Sequence, residues 1–511
     1  MYDLILKNGN VITMNNHNER KKWIAVNNRK IAAVGSPEEL CPDGKKVIDL
    51  DGATVLPGLF DSHCHVMNTG QALESVDLLN TASIDEVLSR ISDRCQKAEP
   101  KEWIFGAGFS APLTKEQRFP TAQELDAVSN NHPIVINTQT LHGCVLNSKA
   151  MELASLRDSS FPYPVEENGI LSDDTTVFAA LREITKILDD DTLLKYIARC
   201  ADFASEQGVT TLGGLLGQFV DGDRDVDITM QHAGEFPIRI EIFYQTWDLK
   251  QILERDLPRV GGCLTLDGAG FEYTMANMDT YPQRPERRGF LLHTDQEIYD
   301  LISAAHQHDI QCAFHALGER AIDQLIFLYQ QVILEQGRKD LRHRIEHFSL
   351  PSDKHIDMLC KLRLIASMQP AFSGIWGEPG SGPYVSLLGQ EAADRMEIFP
   401  DIYNRGGVIC GGSDSPVTSI DPLFGIACCV NNPDPRRNLP LEEAIAVFTR
   451  NAAYAVNLEN RKGSIETGKD ADFTIIDKDP YQICHTPEIF NMKVLQTIRE
   501  GEIKYSRKES H

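Results

Sequence analysis

The chain has 511 residues, with 50 Lys and Arg against 74 Asp and Glu, so its formal charge is −24. This acidic balance, without a long Lys/Arg-rich run, argues against nucleic acid or an anionic membrane as a partner. The sequence begins without a basic stretch leading into a long apolar one and contains no run of about 18 apolar residues, which favours a cytoplasmic protein. Its length fits about three ordinary domains or one large barrel with additions.

Both ends of the chain alternate apolar and polar residues in short runs. Residues 1–57 contain DLILKNG and WIAVNNRKIAAVG, broken by Asn-Gly and Gly turns, and the same character returns after residue 462. Such alternation predicts short antiparallel strands. We therefore expect segments 1–57 and 462–511 to pair into one small β-sandwich.

The central part of the chain, 58–461, alternates densely apolar runs with segments of helical period. That pattern is typical of a parallel sheet with crossover helices, and eight such runs predict an α/β fold, a (β/α)8 TIM barrel. The eight runs lie at residues 59–66, 208–215, 238–245, 262–268, 310–316, 343–349, 363–370 and 407–414.

The gap between the first two runs is too long for one crossover. It contains strand-like sequences, WIFGAGF and PIVINTQT, and helical ones such as SIDEVLSRISDRCQKA. We interpret residues 69–200 as an insertion after strand 1, forming a lid subdomain above the mouth of the barrel.

Ligand-type residues lie at the carboxyl ends of these runs, where a barrel carries its active site. The five residues are His63, His65, His315, His347 and Asp414. Imidazole nitrogens and a carboxylate suit a divalent transition metal such as zinc. Five ligands at strand ends predict a metal centre, although any one histidine alone is more often structural.

Run 6 contains two candidate histidines, His343 and His347. Strand alternation places both on one face and Glu346 on the other. We assign the ligand to His347 because it lies nearer the carboxyl end, which leaves His343 deeper in the strand.

Several motifs resemble those of the amidohydrolase superfamily. PGLFDSHCH (57–65), the histidines of runs 5 and 6, and SDSPV (413–417) are similar to its metal-ligand motifs, and the terminal β segments resemble its composite sandwich domain. FPTAQELDAVSNNHPIVINTQTLHGCVLNSKAM (119–151), GILSDD (169–174) and HALGERAID (315–323) further resemble the amidohydrolase family 3 branch of YtcJ-type proteins and N-substituted formamide deformylases.

The resemblance implies hydrolysis of amide-like C–N bonds with one or two metal ions, held by the same five residues. Metal-bound hydroxide would attack the carbonyl of a non-peptide amide, cyclic amide or N-substituted formamide. Asp414 would act as general base and then as general acid toward the leaving nitrogen. It also implies a small-molecule substrate and a homodimer.

Strand 4 departs from the family pattern. Many members have a carboxylated lysine there that bridges two metals, whereas counting back from Asp267-Gly268 places Cys263 at that position. A thiolate is a good zinc ligand, so Cys263 is predicted to bind and bridge Zn²⁺. The alternatives are a buried structural cysteine and a one-metal site.

Four residues outside this set are predicted to contact substrate: His142, Asp173, Tyr273 and Trp376. His142 is also a candidate catalytic residue that could hydrogen-bond the oxyanion from the lid. Packing or turn formation is the alternative for each. Many relatives have Ser-Arg where this chain has Glu272-Tyr273, so an arginine able to grip a substrate carboxylate is missing.

Two other functions remain open on the sequence alone. A one-metal deaminase of a heterocycle or amidine could use Glu319, four residues after His315, to protonate a ring nitrogen. A non-catalytic binding protein on the same fold would be expected to have lost ligands, and all five are present.

Overall fold

The computed structural model of the protein describes residues 1–508, apart from the side chain of Asp174. The chain begins with seven strands. Four of them form one sheet in the order β5-β4-β1-β6, and β2, β3 and β7 belong to a second sheet. Their bounds are β1 Tyr2–Lys7, β2 Asn10–Ile12, β3 Arg20–Lys21, β4 Trp23–Asn27, β5 Lys30–Gly35, β6 Gly44–Asp49 and β7 Thr54–Pro57.

The next strand, β8, enters the barrel, and a mixed five-stranded sheet follows it before the chain returns. This inserted sheet has the order β13-β12-β11-β10-β9. The elements are β8 Leu59–His65, α1 Val66–Glu74, β9 Val76–Asp77, α2 Ile84–Cys95, β10 Ile104–Phe109, α3 Ala122–Val128, β11 Ile134–Thr138, β12 Cys144–Leu146, α4 Ser148–Leu153, β13 Ile170–Leu171, α5 Asp174–Thr185 and α6 Asp190–Glu206.

All eight predicted runs form strands of one parallel sheet, ordered β8-β14-β15-β16-β17-β18-β19-β20, which confirms the (β/α)8 barrel. Its further elements are β14 Val209–Gly217, α7 Arg224–Gln231, β15 Arg239–Gln245, α8 Leu249–Glu254, β16 Arg259–Thr265, α9 Asp295–Gln307, β17 Gln311–Ala316, α10 Glu319–Gln336, β18 Arg344–His347, α11 Asp353–Leu362, β19 Ile365–Met368, α12 Pro370–Trp376, α13 Pro383–Leu388, α14 Gln390–Ala393, α15 Phe399–Asn404, β20 Val408–Gly411, α16 Pro422–Val430, α17 Leu441–Val447 and α18 Arg450–Ala455.

The outer helices follow from local sequence signals. In α9, Thr294 and Glu297 form a reciprocal capping box that satisfies free backbone N–H groups at the helix start. Ile298, Leu301 and Ile302 recur at helical spacing and are buried against the barrel. The helix therefore needs both its cap and the sheet beneath it.

The first and last strands meet to close the barrel. The Asp414 N–H donates to the His63 carbonyl at 2.8 Å, and Cys64 forms a β-bridge with Ser415. Gly412 makes this approach feasible, because a Cβ there would lie 2.6 Å from the Cβ of His63. Two metal-ligand candidates thus lie at the seam of the barrel.

The carboxyl-terminal strands pair with the amino-terminal ones in the order β23-β22-β21-β7-β2-β3. Their apolar faces share a core with the first sheet, including Leu4, Ile24, Phe473 and Ile498, so the two ends form the predicted sandwich. The elements are β21 Phe473–Ile476, α19 Pro480–Ile483, β22 Val494–Arg499 and β23 Glu502–Ser506. Residues 509–511 of the predicted domain lie outside the described residues, and the domain limits stay a prediction.

Within residues 1–508, no helix combines the length and apolar character needed to cross a lipid bilayer.

Candidate metal centre and adjoining cleft

The five residues predicted as ligands come together at the carboxyl end of the barrel. His63 and His65 end β8, His315 lies on β17, His347 ends β18, and Asp414 follows β20. All five side chains are buried. The strand-end argument thus located a real cluster, while the role of each residue remains a prediction.

Three of these side chains converge, yet some of their polar atoms make no hydrogen bond. Asp414 Oδ1 lies 3.1 Å from His63 Nε2 and 3.2 Å from His65 Nε2. Nevertheless His63 Nε2 and Asp414 Oδ1 are both buried with no hydrogen-bond partner. Buried polar atoms are normally paired, so two such atoms facing each other fit a cation that both would bind.

Cys263 joins the cluster from β16. Its Sγ lies 3.5 Å from His315 Nδ1 and 3.9 Å from His347 Nε2. Donor atoms of His63, Cys263 and His347 lie within 4.8 Å of one another, as do those of His63, His65 and Asp414. Two overlapping groups that share His63 therefore could each hold a metal ion.

A local irregularity in β16 positions Cys263. The pairing of β16 with β17 shifts register between Gly261 and Leu264, and both Gly261 and Gly262 have positive φ. A Cβ on Gly261 would lie 1.9 Å from the Ala313 carbonyl oxygen, so only glycine fits there. Such a bulge re-aims the side chain that follows it.

The charges in the cluster favour an added cation. Burial alone would raise the pKa of the Cys263 thiol, but the facing His315 and His347 hold that pKa well below its usual range. Burial would lower the pKa of His315, yet Cys263 and Asp267 raise it to about 10. The thiol and the carboxylates of the cluster thus favour positive charge beside them, which a divalent ion could supply.

Glu346 corrects the prediction about strand faces. It points toward the cluster, with Oε2 2.6 Å from His63 Nδ1, instead of away from it. Arg344 donates to both Glu346 oxygens, at 2.6 and 2.8 Å, and all three side chains are buried. His347 still reaches the site because its φ of 70° breaks the alternation at the strand end.

His343 lies outside the metal cluster. Its Nδ1 accepts the Cys312 N–H at 2.9 Å, and its Nε2 lies 3.2 Å from His306 Nδ1. Its ring stacks on Tyr329 of α10 at 5.0 Å. The choice of His347 over His343 agrees with the geometry and with the reason given for it, because His347 ends β18 whereas His343 precedes this strand.

Two acidic residues near strand ends have structural partners. Asp267 accepts backbone N–H groups of Ala276, Leu317 and Gly318, so it ties two loops together. Glu319 accepts from Met278 N–H at 2.9 Å and pairs with Arg395 at 2.8 Å. Glu319 does not line the cleft, which removes the sequence observation that favoured a deaminase.

A cleft of about 660 Å³, counting the space open to solvent at its mouth, opens directly onto the cluster. Of the predicted substrate contacts, His142 and Trp376 line it. His142 comes from the inserted segment, with its ring 6.2 Å from that of His315.

The other two predicted contacts lie elsewhere. The Asp173 side chain accepts from Thr176 N–H as the cap of α5. Tyr273 packs on Tyr281 and donates to Gln283 at 3.1 Å. Its neighbour Phe271 lines the cleft in its place.

The inserted segment contacts the barrel mouth directly. Thr140 Oγ1 donates to Glu272 Oε1 at 2.5 Å, and Gln139 Nε2 donates to the Val417 carbonyl at 3.1 Å. Both bonds join this segment to loops that follow barrel strands. The insertion therefore forms part of the wall beside the metal cluster, as a lid would.

The geometry agrees with comparisons to known proteins. The profile of the amidohydrolase family matches residues 46–505, so the chain belongs to that family and is a hydrolase by class. It is similar to N-substituted formamide deformylase of Arthrobacter pascens, at 26% identity over 99% of each chain, and to YtcJ of Bacillus subtilis, at 24% over 98% of each.

A solved structure supports the same fold. An uncharacterised metal-dependent hydrolase from Pyrococcus horikoshii superposes with a TM-score of 0.77 at 24% identity, covering 94% of this chain and 98% of its own.

Proposed function

We propose that the protein is a metal-dependent hydrolase of a non-peptide C–N bond in an amide, cyclic amide or N-substituted formamide. The observation that carries the proposal is the pair of overlapping donor groups around His63, with buried atoms that lack any protein partner. His63, His65, Cys263, His315, His347 and Asp414 would hold one or two Zn²⁺ ions. Nitrogen, sulfur and carboxylate donors together are a set that zinc accepts well.

When bound by these residues, a divalent ion would supply a water of lowered pKa and would polarise the carbonyl to be attacked. Asp414 acts as the proton carrier: its carboxylate accepts a proton from the attacking water and delivers it to the departing nitrogen. His63 and His65 outweigh the effect of burial and hold the pKa of Asp414 well below its usual range, so the carboxyl group is ionised.

His142 lines the cleft from the inserted segment, with its ring 6.2 Å from that of His315. We assign it to hydrogen-bonding the oxygen that gains charge during attack. Because Thr140, two residues earlier, is anchored to Glu272, the segment that holds His142 is fixed over the cluster.

Glu346 and Gln369 orient two of the proposed metal-binding histidines. Glu346 holds His63 through Nδ1, so Nε2 faces the cluster. Gln369 contacts His347 Nδ1 at 2.9 Å in the same way, leaving its Nε2 toward Cys263. Ligating histidines commonly have such a partner on the other ring nitrogen.

Metal analysis and hydrolysis assays test the proposal together. Purified protein should contain bound divalent metal, lose amide hydrolysis when treated with a chelator, and recover it when Zn²⁺ is restored. Protein without metal that gains none on incubation would overturn the proposal. Release of ammonia from an amidine or aminated heterocycle, with no amide cleaved, would establish the deaminase instead.

The role of Cys263 is tested by Cys263→Ala. Loss of metal from Cys263→Ala would support ligation by this cysteine. Unchanged metal content with full activity would show that Cys263 is not a ligand and would favour the one-metal site. Cys312→Ala is the matched control. Cys312 is also a buried barrel cysteine, but its N–H donates to His343, which lies outside the cluster.

A further inference from the structure

The last residue of β15, Gln245, buries an unpaired carboxamide. The residue is 4% exposed, and within residues 1–508 neither its Oε1 nor its Nε2 has a hydrogen-bond partner. Burying an amide group without partners costs free energy, and an apolar side chain of similar size would avoid that cost. Packing alone therefore does not account for a glutamine at this position.

Gln245 faces the inside of the barrel. Phe243, two residues earlier on β15, belongs to the same interior cluster as Cys263. Tyr244 faces outward, where its hydroxyl donates to Asp223 at 2.6 Å. Neither Tyr244 nor Gln245 has a positive φ, so strand alternation continues to the end of β15 and directs the Gln245 side chain inward.

The stagger of the barrel brings Gln245 to the height of His65. Across β14, the strand register places Phe243 opposite His65. Because barrel strands are tilted and staggered, the inward side chain at the same height two strands away lies two residues further along the chain. On β15 that residue is Gln245.

The opposite half of the barrel shows the same offset. His315 is in register with Ser367 across β18, and Gln369 lies two residues beyond Ser367. His347 contacts both ends of this offset, with its ring centroid 4.6 Å from that of His315 and its Nδ1 2.9 Å from Oε1 of Gln369. Alternate strands thus form one layer of inward side chains at the metal cluster: His65, Gln245, His315 and Gln369.

His65 lacks a partner that two other histidines of the cluster have. In His63 and His347, the ring nitrogen turned away from the cluster is held by Glu346 and Gln369 respectively. In His65 that nitrogen is Nδ1, which is buried and has no partner among the described residues. A ligating histidine depends on such a partner for its tautomer and ring orientation.

The end of β14 leaves the region between His65 and Gln245 without a further side chain. Its last residue, Gly217, pairs with Gln245 and has a φ of 93°. A Cβ on Gly217 would lie 2.9 Å from the ring of Tyr244, on the outer side of the barrel. Gly217 therefore does not separate the two unpaired side chains.

We propose that Gln245 positions His65 through a bridging water molecule. The Nδ1–H group of His65 donates to this water, and the water donates to Oε1 of Gln245. Waters that join buried polar groups are a regular part of protein interiors and hold them nearly as well as a direct hydrogen bond. The inference rests on the proposed function in one respect, namely that His65 binds a metal ion through Nε2.

Metal affinity and stability together separate positioning from packing. Gln245→Leu should weaken Zn²⁺ binding about 10- to 100-fold, because His65 loses the partner that orients it. The free energy of unfolding of the metal-free protein should change little, because leucine removes the buried amide together with its bond to water. Unchanged Zn²⁺ affinity would overturn the proposal, as would a loss of stability large enough to explain the weaker binding.

Two further variants sharpen this test. Gln245→Glu keeps an acceptor oxygen for the water, so Zn²⁺ affinity should stay within about threefold of that of the unchanged protein. Gln311→Leu is the matched control. Gln311 is a buried glutamine at the start of β17, where its Nε2 donates to the carbonyls of Arg342 and Ala455 at 2.5 and 2.8 Å. Gln311→Leu should lose stability and keep its Zn²⁺ affinity, and weaker binding in all three variants would contradict a specific role for Gln245.

A crystal structure of the Zn²⁺-loaded protein tests the bridge directly. One water should lie within about 3.2 Å of both Nδ1 of His65 and Oε1 of Gln245. A protein atom bonded to Nδ1 of His65 instead, or a Gln245 amide turned away from it, would overturn the proposal.

The same measurements separate this inference from the hydrolase assignment. Protein that binds Zn²⁺ through Gln245-supported His65 but hydrolyses no amide refutes the hydrolase assignment alone. Amide hydrolysis with Zn²⁺ affinity unaffected by Gln245→Leu refutes the positioning role alone. Protein that binds no Zn²⁺ refutes both.

Discussion

The floor of the cleft, which is the metal cluster at the strand ends, differs in construction from its aromatic wall, formed by Phe271, Phe372, Trp376 and Tyr384. The floor takes its buried polar side chains from five barrel strands that lie far apart in the sequence. The wall takes three of its four rings from the single segment 370–397 between β19 and β20, and those rings are apolar. Strand ends thus carry the polar groups of the cleft, whereas one connecting segment carries most of its aromatic surface.

The largest effect is expected from removing the proton carrier of the floor. Asp414→Asn should lower kcat/KM by about 10⁴-fold, since it would remove the proposed proton carrier and weaken a proposed metal ligand together. Steady-state kinetics and metal content on the same preparation measure both parts. Activity within tenfold of the unchanged protein would show that the proton passes through another group.

The contribution of Glu397, which lies behind the aromatic wall, to the free energy of unfolding should depend on pH. Burial raises the pKa of Glu397 to about 8 from an ordinary 4.5, so the native state binds its proton more tightly than the unfolded chain. Its contribution to stability is therefore fully present below about pH 4.5 and is lost as pH rises through about 8, a change of order 5 kcal/mol. Chemical denaturation at pH 5 and pH 8 measures it.

Glu397→Gln should remove most of that pH dependence, because glutamine cannot ionise and can still accept the Tyr384 hydroxyl. Glu378→Gln, at an exposed glutamate of the same segment, should leave the dependence unchanged. Parallel pH profiles for Glu397→Gln and the unchanged protein would contradict the raised pKa.

Stability and metal affinity should both depend on Glu346, which contacts His63 of the cluster. Glu346→Gln leaves the buried Arg344 without its counter-ion and should lower the free energy of unfolding by about 3 kcal/mol. Because Glu346 also holds His63, metal affinity should fall about 10- to 100-fold. Denaturation and metal titration measure the two effects separately.

Glu241→Gln is the matched control for Glu346→Gln. Glu241 is also buried in the barrel and pairs with Arg259 at 2.8 Å. The Glu241→Gln variant should lose a similar amount of stability and keep the metal affinity of the unchanged protein. Loss of metal affinity in both variants would mean that the effect on the metal is only a consequence of reduced stability.

The smallest effect is expected at Asp173, which lies on neither floor nor wall. Asp173→Asn preserves the cap of α5 and should change stability by less than about 0.5 kcal/mol, whereas Asp173→Ala should cost about 1 kcal/mol. Neither should alter KM more than twofold. A tenfold rise in KM for Asp173→Asn would bring this carboxylate back into contact with substrate.

Sequence patterns were most informative where periodicity governs the structure. Densely apolar runs between segments of helical period predicted all eight barrel strands, and the residues at the ends of those runs predicted the cluster. The prediction that Glu346 and His347 lie on opposite faces was wrong. Strand alternation assumes a regular extended backbone, and His347 has a positive φ. Cys263 was located from its motif, although the glycine bulge that orients it has no periodic signal.

The wall was harder to predict. The sequence predicts substrate contacts at Trp376 and Tyr273, whereas the structure places Trp376 and Phe271 in the cleft. Within a loop, which of several aromatic residues faces a cleft depends on backbone turns: Tyr273 has a positive φ and packs on Tyr281 instead. Tyr384 follows no strand end at all, and only the folded segment brings it to the cleft.

At the seam where the barrel closes, the proposed metal binding would be coupled to folding of the whole domain. His63 and His65 come from the first barrel strand and Asp414 follows the last, so an ion that they share connects the two ends of a long stretch of chain. A ligand that binds only the closed form stabilises it in proportion to the logarithm of its concentration. Metal supply would then govern how much of the protein survives in its native state, as well as how fast it turns over substrate.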